Sequence, residues 1–215
     1  LFYIGFVLFI WQLLKTEVQT DFLLFFTLGF LLIIIALIVM NSALYDNFRQ
    51  LLFVLPPMFI VIGFSIEYIF TKIERKWIRI FLIIALALPG IYSSIKLHPY
   101  EYIYYNSLVG GTEGAFRRFE MDYWRTSYRE LALEVNHIAD YEEIIVIVGD
   151  STFLPYARKD LIITRNKDAN LEETGGYAVL TSRWNSDLFY PEAQIVKSVE
   201  RGGAILSVLK YIGQK

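Results

Sequence analysis

The side chains of this sequence that could do chemistry are concentrated in one stretch, HPYEYIYYNSLVGGTEGAFRRFEMDYW, residues 98–124. A histidine can act there as a general base, and carboxylates can recognise the hydroxyl groups of a substrate or acceptor. The Tyr and Trp side chains favour a membrane–water boundary, because one end of each is apolar and the other polar. We therefore predict either an interfacial collar alone or a collar that also walls an active site. The candidate wall residues are His98, Tyr100, Glu101, Tyr105, Asn106, Glu120, Asp122, Tyr123 and Trp124.

Several of these residues also have simpler interpretations. Glu120 and Asp122, on either side of Met121, can form a solvated acidic edge instead of recognising hydroxyl groups. His98 can be an interfacial hydrogen-bonding group, since the sequence fixes no carboxylate partner for it. Both interpretations remain open at the level of sequence.

One motif suggests different chemistry, and we reject it. Gly149-Asp150-Ser151 follows an apolar run and resembles the nucleophile block of GDS-type esterases. That family places its catalytic His near the C-terminus, whereas the histidines here, His98 and His137, both precede the serine. Asp150 or Ser151 is expected to cap the next helix instead. With no cysteine and only scattered acids, the spacing predicts no metal site, and we expect no cofactor.

The composition divides the chain into two parts. Overall 55% of the residues are hydrophobic, but residues 1–97 are nearly all of membrane type and residues 98–215 hold most of the charge. The net charge of −2 gives no reason to expect nucleic-acid binding. Leu1 already lies inside an apolar run that has no charged region before it, so we expect a fragment whose N-terminal portion is missing.

The first part predicts a multi-pass α-helical membrane bundle. Apolar runs long enough for spans, or for a truncated first span, lie at 1–14, 22–40, 51–70 and 80–95. The loop 72–79 is rich in Lys and Arg; with Thr71 before it, it reads TKIERKWIR. This loop is expected to be cytoplasmic. The loop 41–50 and everything after Lys96 are then expected outside the cytoplasm.

Arg49 and Asp46 are the charged residues of the predicted outer loop 41–50. In one interpretation Arg49 extends to lipid headgroups and Asp46 caps a helix. In the other, both belong to an anion site, where Arg49 binds a phosphate headgroup with help from the helix N-terminus beside it.

The second part predicts a small α/β domain with a mixed sheet. A helical stripe covers 127–139, apolar runs at 142–148, 161–164 and 177–181 predict strands, and 151–159 is compatible with a short helix. Residues 194–200 and 204–211 flank Arg201-Gly202-Gly203 and predict a hairpin, and 166–176 predicts a loop. The expected organisation is a transmembrane region 1–97, an interfacial aromatic and glycine-rich linker 98–126, and a soluble extracytoplasmic domain 127–215.

Three strings of the sequence carry a family resemblance: LYDNFRQLLFVLPP, HPYEYIYYNSLVGG and FEMDYWRTSYRE. They resemble the C-terminal part of prokaryotic integral-membrane glycosyltransferases of the GT-C superfamily, in the protein-mannosyltransferase-like and aminoarabinose-transferase-like branch. The resemblance is strong from about residue 44 to residue 134. Relatives often carry Arg-His where this chain has Arg49-Gln50, so a role for position 50 does not transfer.

The resemblance implies transfer of a sugar from a polyprenyl-phosphate donor to an extracytoplasmic acceptor, which is a protein, a lipid or a glycan. It places the catalytic acid in a first extracytoplasmic loop that this sequence does not contain, so we expect residues 1–215 alone to be inactive. The implied partners are membrane lipids, the lipid-linked donor and the acceptor. The alternative hypothesis is a non-catalytic membrane anchor that presents an extracytoplasmic binding module.

Overall fold

The computed structural model describes residues 7, 11, 20–42, 48–148, 152–165 and 171–213. The chain divides into two compact units, Leu1–Leu88 and Pro89–Lys215.

In the residues that the structure describes, the first unit is mainly helical. Helix α1 covers Thr20–Val39, a 3₁₀ segment covers Phe48–Val54 and runs into α2 (Leu55–Thr71), and α3 (Lys76–Leu97) begins in this unit and ends in the second. Pro56 and Pro57 lie in the first turn of α2, where a missing backbone N–H leaves no hydrogen bond unmade. The predicted runs 22–40, 51–70 and 80–95 are thus each helical, with shifted ends. The predicted span 1–14 lies outside the described residues, apart from residues 7 and 11.

Among the described residues, two helices are long and apolar enough to be candidate membrane spans. They are Leu51–Thr71, with 21 residues, and Lys76–Leu97, with 22. The spanning window of α3 has no buried residue, and Phe81, Ile91 and Ile95 are all more than half exposed. A helix that exposes apolar side chains in this way is suited to lipid rather than to water.

The second unit contains the predicted mixed sheet, which has five strands. They are β1 (Ile144–Ile147), β2 (Ile162–Arg165), β3 (Gly176–Thr181), β4 (Gln194–Arg201) and β5 (Ala204–Ile212), in the order β2-β1-β3-β5-β4. Strand β1 pairs in parallel with β2 and β3, while β5 pairs antiparallel with β3 and β4. The predicted hairpin is confirmed, and Gly202 and Gly203 turn it with φ values of +56° and +81°.

Both faces of the sheet are covered, and the strand period of two distributes the side chains. Ile145 and Ile147 belong to one apolar cluster, whereas Val146 between them belongs to the other. The first cluster contains the buried face of helix α5 (Tyr128–Ile138), which packs against β4 and β5. Helix α6 (Leu171–Thr174) contributes Leu171 to the second cluster.

The segment predicted as a separate linker, 98–126, is packed into the core of this unit. It forms 3₁₀ turns at Glu101–Ile103 and Ser107–Val109 and a short helix α4 (Gly111–Ala115). Tyr100, Ile103 and Ala115 are buried in the same cluster as α5. The α/β unit therefore begins before residue 127, because apolar residues of 98–126 close one side of its core.

Two shorter elements differ from the prediction. Within 152–159 the expected helix is only a 3₁₀ turn at Leu154–Tyr156, and residue 151 lies outside the described part. Pro155 removes an N–H, and its ring opposes a helix that starts four residues earlier. The loop expected over 166–176 ends in α6 and the first residue of β3; residues 166–170 lie outside the described part.

Candidate functional site

Two concave sites lie beside the segments that follow the parallel strands β1 and β3, where α/β sheets commonly bind ligands. The Trp184 cleft, of about 170 Å³, is formed by residues 116–121 and 182–185. The Glu130 pocket, of about 560 Å³, is larger. Its lining residues are Pro99, Tyr100, Thr126, Arg129, Glu130, Leu133, Thr152, Pro155 and Tyr156.

Asp122 is fully buried in the second unit, and its carboxylate accepts four hydrogen bonds. Its oxygens accept from the hydroxyls of Tyr102 and Ser127 and from the backbone N–H groups of Thr126 at 3.0 Å and Ser127 at 3.3 Å. The Ser127 hydroxyl also lies 2.7 Å from that of Ser207 on β5. The interpretation of Asp122 as a solvated acidic edge is therefore wrong. Asp122 connects the DYW segment directly to Tyr102 and, through the Ser127 hydroxyl, to Ser207 on β5.

Burial and the neighbouring carboxylate both raise the pKa of Tyr102 above its usual value. The phenol consequently stays protonated and remains a donor to Asp122 across the physiological pH range.

The Trp184 cleft is built around Arg183. Its Nε lies 2.9 Å from Oε1 of Glu120, and its guanidinium lies 4.3 Å from the ring centre of Tyr123 and 4.2 Å from that of Trp184. The Arg183 side chain is only 10% exposed, so this ion pair is well shielded from water. Glu120 thus lines the cleft, and Tyr123 lies behind it against Arg183.

A second ion pair supports the same cleft. Arg117 donates from both terminal nitrogens to the buried Asp187, with distances of 3.3 Å and 2.6 Å, and one of them also donates to Asn185 Oδ1 at 2.7 Å. Bidentate pairing of this kind fixes the geometry of both partners. The amide of Asn185 is thereby oriented, because arginine can only donate.

Strained backbone accumulates around the cleft. Arg117, Arg125, Trp184 and Asn185 all have φ between +52° and +60°, a region that non-glycine residues rarely adopt. Each such residue costs about 1–3 kcal/mol, and such strain is concentrated at functional sites. The ion pairs of Arg117 and Arg183 hold the neighbouring segments in place.

The Glu130 pocket has its own polar group. Glu130 Oε1 accepts from the Tyr100 hydroxyl at 2.7 Å and from Arg201 at 2.7 Å. The Arg201 guanidinium also lies 4.9 Å from the ring centre of Tyr100. Burial and the hydrogen bond to Glu130 raise the pKa of Tyr100, so that its hydroxyl remains a donor. Tyr100 is therefore a wall residue of this pocket.

His98 and Glu101 form an exposed pair, with Nδ1 and Oε1 2.7 Å apart. A hydrogen bond to the backbone of Glu101 itself, followed by that to His98, lowers the pKa of the Glu101 carboxyl. The structure thus supplies a carboxylate partner for His98 that the sequence did not fix. Neither residue lines the Trp184 cleft or the Glu130 pocket.

Tyr105 and Asn106 support the backbone. The Tyr105 hydroxyl donates to the carbonyl oxygen of Glu120 at 2.7 Å, and its ring stacks on Phe119 at 5.5 Å. Asn106 Oδ1 accepts from the N–H of Leu108 and caps a 3₁₀ turn. Trp124 is half exposed and packs edge-on against Tyr123.

The candidate wall residues are therefore divided between several places, and four important residues were not predicted. Arg183, Trp184 and Asn185 follow β3, and Arg201 ends β4. A signal was present in SRWNSD, where an aromatic residue stands among polar residues directly after a predicted strand. For the proposed phosphate site, Arg49 lies in the 3₁₀ segment Phe48–Val54 but its side chain is not among those described, and Asp46 lies outside the described residues.

Within the described part of the chain, no group of three or more His, Asp or Glu side chains is arranged to hold a metal ion. Comparison of the sequence with protein-family models and with curated proteins, and of the structure with solved structures, found no match.

Proposed function

We propose that this chain is the C-terminal part of a multi-pass membrane glycosyltransferase that transfers a sugar from a polyprenyl-phosphate donor to an extracytoplasmic acceptor. The proposal begins from the sequence resemblance to the GT-C enzymes. Two candidate membrane spans immediately before an α/β unit fit that organisation.

The observation that carries the proposal is how two of the resembling strings interlock. Three tyrosines of HPYEYIYYNSLVGG donate to three residues of FEMDYWRTSYRE. The pairs are Tyr100 with Glu130, Tyr102 with Asp122, and Tyr105 with the backbone of Glu120. The strings therefore form one structure rather than two independent surface segments. Residues of that structure line both the Trp184 cleft and the Glu130 pocket.

The proposal is tested by sugar transfer with the full-length protein. Reconstituted in vesicles with a panel of radiolabelled polyprenyl-phosphate sugars, it is expected to transfer label to an acceptor or to water. Residues 1–215 alone are expected to be inactive, because the resemblance places the acid that activates the acceptor in an earlier loop. Turnover by 1–215 would mean that the catalytic group lies within this chain.

The alternative, a membrane anchor that presents a binding module, is favoured by the same concave sites if they bind without turnover. A full-length protein that binds a saccharide but transfers sugar from no donor in the panel would support this alternative and reject the glycosyltransferase.

The proposed topology places the α/β unit outside the cytoplasm, since the basic loop 72–79 is expected inside. The chain has no cysteine, so single cysteines at exposed Ser107 and Thr71 report the two sides. In the full-length protein, with any cysteine outside 1–215 replaced by serine, Ser107→Cys is expected to react with an impermeant maleimide in intact cells. Thr71→Cys is expected to react only after permeabilisation. The reverse pattern would invert the topology.

A further inference from the structure

We infer that the Trp184 cleft binds a single pyranose that carries one anionic group, a carboxylate or a phosphate. The inference rests on the proposed function only for the role of this pyranose as part of the acceptor. Binding itself is measured without any transfer.

The first argument is the aromatic surface of the cleft. Trp184 is 69% exposed although Arg183 stacks on it, and Phe119, another lining residue, is 49% exposed. Large exposed aromatic side chains in a concave site indicate a ligand with an apolar face. The C–H face of a pyranose ring has this property, while its rim carries hydroxyl groups.

The second argument is the supply of oriented donors at the rim. The Asn185 carbonyl oxygen accepts from Arg117, which leaves the NH₂ group of the amide directed elsewhere. Among the described residues this NH₂ group makes no hydrogen bond, and Asn185 is exposed in the cleft. It is therefore available to a ring oxygen or a hydroxyl group.

The third argument is charge. The lining cations Arg117 and Arg183 are matched by Asp187 and Glu120, respectively. Arg118 also lines the cleft and is exposed, and it makes no ion pair within the described part of the chain. One uncompensated guanidinium favours a ligand with one anionic group, which it can hold with two hydrogen bonds.

The fourth argument is rigidity and size. The left-handed conformations of Trp184 and Asn185 and the ion pairs behind them hold the ring and the amide in place before a ligand arrives. Such preorganisation reduces the entropy lost on binding. At about 170 Å³ the cleft is smaller than the roughly 300–1,000 Å³ typical of sites for drug-sized ligands. It suits one sugar unit rather than a long chain.

The test uses the full-length protein in detergent and measures binding by calorimetry. The probes are methyl glucuronoside, glucose 6-phosphate and the neutral methyl glucoside, with inorganic phosphate as a control for simple anion binding. We expect at least one charged sugar to bind about tenfold or more tighter than methyl glucoside, because a hydrogen bond to a charged group is strong. Inorganic phosphate is expected to bind weakly. Which charged sugar binds tighter distinguishes a carboxylate from a phosphate.

Two variants separate the contributions. Trp184→Ala is expected to lower affinity for the neutral and the charged sugars alike by about tenfold or more. Arg118→Gln is expected to lower affinity only for the charged sugars, by about tenfold, toward that of methyl glucoside. The matched controls are Tyr141→Ala and Lys159→Gln, exposed residues outside the cleft, and both are expected to bind like the wild type.

Equal affinity for charged and neutral sugars, binding unaffected by both cleft variants, or no sugar binding at all would each overturn the inference. Arg118→Gln alters an exposed side chain that makes no ion pair with the residues the structure describes, so misfolding is not expected to confound it. Sugar transfer by a protein that binds none of the probes rejects the cleft site and leaves the glycosyltransferase. Probe binding by a protein that transfers no sugar supports the cleft site and rejects the glycosyltransferase.

Discussion

Replacement of Asp122 by Ala is expected to lower the free energy of unfolding of the α/β unit by roughly 3–5 kcal/mol. The carboxylate is fully buried and accepts four hydrogen bonds, and two of their donors are backbone N–H groups. Alanine leaves all four donors without this acceptor and opens a cavity beside Ser127. Asp122 joins Tyr102 to the start of α5. We therefore expect its replacement to disturb the structure of both the Trp184 cleft and the Glu130 pocket.

The measurement is denaturant unfolding followed by tryptophan fluorescence. The sequence has four tryptophans, and Trp124 and Trp184 lie in the second unit. In a Trp11→Phe, Trp77→Phe background, the tryptophan signal of residues 1–215 therefore comes only from that unit. Tyr102→Phe, which removes one donor, is expected to cost about 1–2 kcal/mol.

The matched control is Asp140→Ala, which changes an exposed carboxylate and is expected to stay within about 0.5 kcal/mol of the wild type. A loss for Asp122→Ala no larger than that for Asp140→Ala would show that the buried network does not stabilise the unit.

Replacement of Arg49 by Ala or by Lys is expected to reduce use of the lipid-linked donor by about tenfold to hundredfold in the full-length protein. A guanidinium can hold two phosphate oxygens at once, and lysine cannot reproduce that geometry. Arg49 lies in the 3₁₀ segment that leads into α2, and the first turn of α2 holds Pro56 and Pro57, which have no N–H. The expected effect therefore rests on the guanidinium. This prediction rests on the proposed function.

The measurement is the dependence of transfer rate on donor concentration, after expression and melting temperature have been matched. Arg75→Ala is the control, because Arg75 is an exposed cation in the basic loop that is expected on the cytoplasmic side. A basic residue that only contacts headgroups would change stability slightly and donor use hardly at all. Wild-type donor dependence in both Arg49 variants would identify Arg49 as such an anchor.

Much of the secondary structure follows from local sequence. The apolar runs 22–40, 51–70 and 80–95 in α1, α2 and α3 are long, and Glu67 is the one charged residue inside them. The hairpin of β4 and β5 is marked by Gly202 and Gly203. These features depend on composition and spacing within about 20 residues. The helix over 151–159 failed on a local rule, since Pro155 already argued against it.

The placement of 98–126 could not be derived in the same way. Its tyrosines are equally suited to a membrane interface and to a core with hydrogen-bond acceptors, because each combines an apolar ring with a hydroxyl group. The hydrogen-bond acceptors of FEMDYWRTSYRE decide between the membrane interface and the core. Nothing in the local pattern indicates that Tyr100 meets Glu130, which lies 30 residues further along the chain.

The sequence by itself determined that apolar helices precede a mixed α/β sheet. It also indicated that polar and aromatic residues are concentrated in 98–124, between the helices and the sheet. Only the tertiary structure decided that Asp122 is a buried support and that Glu120 meets Arg183 in a cleft with Trp184. The physical reason is that burial and charge pairing depend on distance in space. Arg183 and Glu120 are far apart in the sequence, and they meet because the turn after β3 packs against the segment that holds Glu120.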